Sequence, residues 1–226
     1  MKHADLECEY FSLSDQDDIW KLDKIKKAVE QLEKEKSKVP VLYCCAKTLV
    51  DQGGIPLSME IKEIKMKPSF GNALVENIAT GCSCVFNREL LMRLREKEEP
   101  PKDMVMHDWW IYLTATCFGK VIYDDNSYLL YRQHDGNVIG ARNTWMGEWK
   151  SRIHYFMEHR GAIIRQLIGF QQYYEVEGEN GRLLQEVIEY KNSFHNRYHI
   201  VMEGKVYRQR KVDNCIFHIL FFLKLV

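Results

Sequence analysis

Asp15, Asp17 and Asp18 crowd three carboxylates into four positions, directly after the apolar run Tyr10-Phe11-Ser12-Leu13, which reads as the end of a strand. Like charges that close repel one another unless a cation sits on them. Oxygen ligands suit a hard divalent ion, Mg²⁺ or Mn²⁺, which keeps positions open for water and for substrate phosphates. The strand-end location agrees, because open α/β sheets bind ligands outside the carboxyl ends of their strands. Asp15 and Asp17 are the expected ligands, with Asp18 as a helix cap or an outer support. A solvated acidic turn is the plain alternative.

The elements that must position such a site follow from periodicity. Leu22, Ile25, Val29 and Leu32 recur at helical steps, so the alternating charges of Lys21 to Lys38 read as the solvated face of a surface helix. Val41 to Ala46 has strand length and composition, Asp51 to Gly54 forms a turn, and 55–76 reads as loop. Ser83 to Phe86 is a strand followed by Asn87, whose side chain can cap a helix carrying Leu90, Leu91 and Leu94. His107 opens a helix that ends at Phe118, with Gly119 placed as its C-cap. Lys120–Tyr123 and Tyr128–Arg132 read as two strands around an Asp124-Asp125-Asn126 turn. From Trp149 onward the pattern is helical only.

Composition excludes several classes. Hydrophobic residues make up 46% of 226 positions, enough for a globular core. The 32 Lys and Arg balance 32 Asp and Glu, so no net charge steers the chain toward nucleic acid. Seven cysteines without recurring Cys-x-x-Cys pairs suggest reduced, mostly buried thiols and neither a disulfide framework nor a zinc ribbon. The N-terminus lacks an apolar signal segment, which fits a cytoplasmic protein. The run Ile216 to Val226 is about half the roughly 20 residues a spanning helix needs. With Arg208, Arg210, Lys211 and Lys224 nearby, it is expected to rest on the inner face of the membrane, or else to serve as a core or dimer helix.

The acidic cluster, Thr80-Gly81 before a strand, His107-Asp108-Trp109-Trp110, and Tyr131-Arg132-Gln133-His134 with Asn137 and Gly140 stand in an order that resembles the family 2 glycosyltransferases, most closely rhamnosyltransferase-like members that build bacterial cell-surface polysaccharides. The similarity covers roughly residues 8 to 142. It implies a partial type-A, Rossmann-like α/β glycosyltransferase fold, with the metal and acceptor half at 1–144 and a helical extension at 145–226. It also implies that Asp15-Gln16-Asp17 holds Mn²⁺ or Mg²⁺ on the diphosphate of a dTDP- or UDP-linked sugar, and that Asp108 is the base in an inverting transfer to a glycan.

The side-chain chemistry accords with those roles. His134 can offer an imidazole to the metal and Arg132 a fork to the diphosphate. Thr80 and Gly81 leave room for the acceptor, His107 binds acceptor or orients Asp108, and Trp109 and Trp110 offer ring faces to sugars. Adjacent helix positions diverge, so at least one of the two indoles belongs to the core. Asp108 serving only as a helix cap and Arg132 pairing with a nearby carboxylate are the plain alternatives.

In this family the nucleotide is held mainly by a βαβ half ahead of the acidic strand, and only fourteen residues precede Asp15. The expectation is therefore an incomplete enzyme, weak or inactive alone: a fragment, a chain that a second chain completes, or a protein that has lost catalysis. A non-catalytic glycan-binding or partner subunit is the rival, and metal-dependent phosphoester hydrolysis by Asp15, Asp17, His107 and His134 is a third reading.

Overall fold

The computed structural model describes residues 4–35, 38–57, 66–99, 104–132 and 161–226. His134, Asn137, Gly140, Trp149 and the expected boundary at 144/145 lie outside the described residues. Two compact units are present, one within 1–68, 77–100 and 107–139, the other within 69–76, 101–106 and 140–226.

The first unit is a mixed five-stranded sheet: β1 (Tyr10–Ser12), β2 (Ile19–Trp20), β3 (Val41–Val50), β4 (Val85–Asn87) and β5 (Lys120–Arg132), in the order β1-β4-β3-β5-β2. The long central pair, β3 and β5, runs parallel, and every other pairing is antiparallel. This is the expected α/β class, with part of a Rossmann-like sheet. Val41 through Ala46 is wholly buried, as a parallel strand covered on both faces should be.

Two strands expected around Asp124-Asp125-Asn126 are in fact one. Cys45 pairs with Asp124 and the adjacent Ala46 with Ser127, so Asp125 and Asn126 bulge from β5 without breaking it. The turn chemistry is real but local, since Asp124 Oδ1 accepts from the Asn126 amide at 2.9 Å.

Eight helices lie among the described residues: α1 (Lys24–Leu32), α2 (Phe70–Ala73), α3 (Arg88–Leu94), α4 (His107–Phe118), α5 (Ala162–Tyr173), α6 (Gly178–Ile188), α7 (Phe194–Glu203) and α8 (Lys211–Phe222). Asn87 does cap α3, its Oδ1 accepting from Leu90 N at 3.1 Å, and it also takes Val41 N at 2.8 Å. One side chain thus fixes a helix start and β3. Gly119 is no left-handed cap, because its φ is not positive. It is glycine for space, since an added Cβ would stand 1.9 Å from the Pro40 carbonyl oxygen. That carbonyl also accepts the Lys120 amide at 2.9 Å, which locks the start of β5 beside β3.

The second unit is helical. The stretch 55–76 is not all loop, for Ser69 caps the short helix α2. Gly71 of α2 lies so close to Lys205 that a Cβ would meet its carbonyl oxygen at 1.9 Å. Tyr190 stacks on Phe221 with ring centroids 4.3 Å apart, and Ile216, Phe217, Leu220 and Phe221 are buried. The run Ile216 to Val226 therefore contributes one side to the core, the second of the two roles expected for it. Arg208 is committed to the Val75 carbonyl at 2.9 Å and to Glu76. Among the described residues no helix is long and apolar enough to cross a membrane.

Candidate metal and acceptor site

β1 and β2 occupy opposite edges of the sheet, so the loop 13–18 must travel from one edge to the other. Four strand spacings are about 19 Å in a flat sheet, and the seven steps from Ser12 to Ile19 reach about 24 Å at most. The acidic loop consequently crosses from the level of Tyr43, which Val85 places opposite Ser12, to the carboxyl end of β5. Asp18 reaches the last residue of β5, its Oδ1 accepting from the Arg132 amide at 3.1 Å.

The carboxylates that converge are those of Asp15 and Asp18, together with the Cys82 thiol, each offering one ligand atom within 4.8 Å of the others. Asp17 lies outside this group. Its backbone carbonyl accepts from Arg132 Nε at 3.0 Å. Asp18 is not a helix cap, because Asp23 occupies the N-cap position of α1 and Asp18 turns inward. Asp18 Oδ2 is buried and accepts from no nitrogen or oxygen donor among the described residues, with the Cys82 thiol beside this carboxylate. Two oxygen donors, one with an unused buried lone pair, fit a hard divalent cation. Burial first, and then the neighbouring Asp18 carboxylate, push the Cys82 thiol well above its ordinary value.

Two lysines that the sequence reading missed face this group. Lys24, expected on a solvated face, is 1% exposed: its ammonium lies 3.4 Å from the Trp20 ring centroid and donates to Ser12 Oγ at 3.3 Å. Burial pushes it below the usual lysine value, opposed by nearby cysteines and Asp18. By reaching Ser12 and Trp20 it ties together both ends of the acidic loop. Lys47 lies on β3, donates to Thr80 Oγ1 at 2.8 Å, and stands 4.3 Å from the Tyr131 ring centroid. The one signal for it in sequence is a lone cation inside an apolar strand.

Thr80 leads into a turn of 3₁₀ helix at Gly81–Ser83. The Gly81 amide donates to Asp108 Oδ2 at 3.1 Å, and Asp108 Oδ1 accepts from Trp109 N at 2.8 Å. Asp108 is thereby anchored at the start of α4 and is 7% exposed. A Cβ on Gly81 would stand 3.4 Å from Nε2 of the exposed His107, an ordinary contact distance. Trp109 and Trp110, expected to offer ring faces, are both buried, and this is a correction: two successive helical positions are both enclosed because α4 is buried nearly all round. Arg132 donates to the carbonyls of Asp17 and Gln52, so here its guanidinium braces the acidic loop.

Thr80, Gly81, His107 and Asp108 thus come together, as do Asp15, Asp18 and Cys82, with Lys47 linking Thr80 to the acidic side. The arrangement can bind a cation and an anion side by side next to a fixed carboxylate.

No family model matches the chain. Over 156 residues it is 28% identical to a dTDP-rhamnosyl transferase, RfbG, of Shigella flexneri, an overlap of 66% of this chain and 52% of that protein. The chain spans about half the length of this relative. The similarity supports a glycosyltransferase relationship.

Proposed function

Given that relationship, we propose that the chain is the metal- and acceptor-binding part of an inverting family 2 glycosyltransferase that moves a sugar, rhamnose from a dTDP donor by the likeness, to a hydroxyl of a cell-surface glycan. The observation that carries this reading is the convergence of Asp15 and Asp18 at the carboxyl ends of the two parallel strands, where such folds bind ligands.

In this reading Asp15 and Asp18 hold Mn²⁺ or Mg²⁺. The bound ion would supply Lewis-acid neutralisation of the charge that develops on the diphosphate. Lys47 faces the same charge from the other side, and Arg132 keeps the acidic loop in place. Asp108 accepts the proton of the attacking hydroxyl while the acceptor oxygen bonds to the anomeric carbon and the bond to diphosphate breaks on the opposite face. Base and ribose are held by a further segment or second chain, in line with the half-length overlap. The test is to supply such a completing segment and follow release of dTDP from dTDP-rhamnose with Mn²⁺ and glycan acceptor. Release that requires both metal and acceptor is expected, and its absence under completion overturns the reading.

A second reading rests on Asp108, both of whose oxygens accept backbone amides as a purely structural residue's would. In that case the chain is a non-catalytic glycan-binding subunit. It would retain acceptor binding with no release of dTDP.

A further inference from the structure

The helical unit carries an apolar face that its own core leaves uncovered. α7 and α8 form an antiparallel hairpin: Phe194, at the start of α7, meets Phe222, at the end of α8, with ring centroids 5.7 Å apart at 73°. The inward sides of these helices, Ile200 and the Phe217 group, are buried. Their outward sides are also apolar. Phe194, Tyr198 and Met202 follow one another at four-residue steps along α7, beside Ile219, Phe222 and Leu223 at the end of α8, and each of the six is 40–65% exposed. The apolar stripe runs beside polar positions such as the exposed His195 and Glu203, which is the pattern of a helix lying in an interface and not of one enclosed in a core. The exposed surface is of the order of several hundred Å², the size at which patches mark interaction sites.

Charge decides the occupant. Arg210 and Lys211 stand exposed at one end of the hairpin, Lys191 and Lys224 at the other. Of the acidic groups near this face, Glu203 is engaged by His199 at 2.7 Å and Lys205 at 3.3 Å, and Asp213 is half-buried. Whichever way a second copy were laid on the face, basic ends would meet basic ends. An anionic bilayer matches both the apolar middle and the basic ends, since lysine and arginine near such a surface gain roughly 1 kcal/mol each. We infer that the outward face of the α7–α8 hairpin is a docking surface for a membrane with anionic headgroups, lying in the interface plane. Tyr198 suits that depth, with an apolar ring and a polar tip.

This inference is independent of sugar transfer, and so is its test. The full chain is co-sedimented with vesicles of phosphatidylcholine alone or mixed with phosphatidylglycerol. Binding to the anionic vesicles is expected, weakened by salt and by Lys211→Glu, and lowered at least tenfold by the pair Ile219→Asp and Phe222→Ser. Circular dichroism on both variants separates loss of the surface from loss of the fold, and Lys211→Glu, at an exposed position, leaves the Phe194–Phe222 contact in place. Failure of the parent to bind anionic vesicles, equal binding to neutral ones, or full binding by the double variant overturns it. So does a parent that light scattering shows to be a dimer and the double variant a monomer, which would assign the face to a second copy.

Discussion

Asp18 and Arg132 join the acidic loop to the end of the longest strand: the Asp18 carboxylate accepts the Arg132 amide at 3.1 Å, while Arg132 Nε returns to the Asp17 carbonyl at 3.0 Å. The reciprocal pair fixes which carboxylate turns inward. Asp18 is held beside Asp15 and Cys82, and Asp17 contributes its backbone.

Replacing Gly119 by alanine should be among the most damaging single changes. The new methyl would stand 1.9 Å from the Pro40 carbonyl oxygen, a backbone atom that also accepts the Lys120 amide. Either the β3–β5 start or the end of α4 must shift, at a cost of about 3 kcal/mol or more. Urea unfolding of Gly119→Ala checks it, and a midpoint equal to the parent's would contradict the close approach.

Stability should fall at alkaline pH. Burial raises the thiols of Cys44, Cys45, Cys82 and Cys84 above the usual 9.0. Between that value and their folded values the unfolded chain binds fewer protons, so the stability present below pH 9 is lost as pH rises. Lys24 works in the opposite sense below 10.5, because the folded state releases its proton first. Four thiols outweigh one lysine. The urea midpoint should decline from about pH 9 upward, and Cys44→Ala should make the fall in unfolding free energy shallower, by at most about 1.4 kcal/mol per pH unit. A midpoint constant from pH 8 to 10.5 would contradict the burial of these groups as ionisable thiols.

How much of this was legible in sequence depends on range. Asn87 as a cap, the amphipathic α1 and the acidic cluster after β1 could be read locally, because each depends on neighbours within a few residues. Lys24 could not: its spacing is that of a surface lysine, and only the return of Ser12 and Trp20 to one place encloses it. The choice of Asp18 over Asp17 is likewise set by Arg132, 114 residues away. Asp124-Asp125-Asn126 carried a true turn signal, but parallel pairing with β3 outweighed it and left a bulge. Lys47 was overlooked because its partner, Thr80, is 33 residues distant.

Asp108→Asn separates an enzyme from a binding subunit. The amide keeps the size of the side chain and one oxygen to accept the Gly81 or Trp109 amide, yet cannot act as base. In the completed enzyme the transfer rate should fall by about 10²- to 10⁴-fold, with Mn²⁺ binding near the parent's. Transfer at the parent rate would remove Asp108 from the chemistry, and the exposed His107 beside it would be the next residue to test.

In the proposed function, Asp15 and Asp18 hold a divalent cation at the carboxyl ends of β3 and β5. Isothermal titration of Mn²⁺ into the full chain, into Asp18→Asn and into Asp17→Asn tests it most directly. Saturable binding by the parent is expected, with binding at least tenfold weaker in Asp18→Asn and close to the parent's in Asp17→Asn. Unchanged affinity in Asp18→Asn, or no binding by the parent, would contradict it.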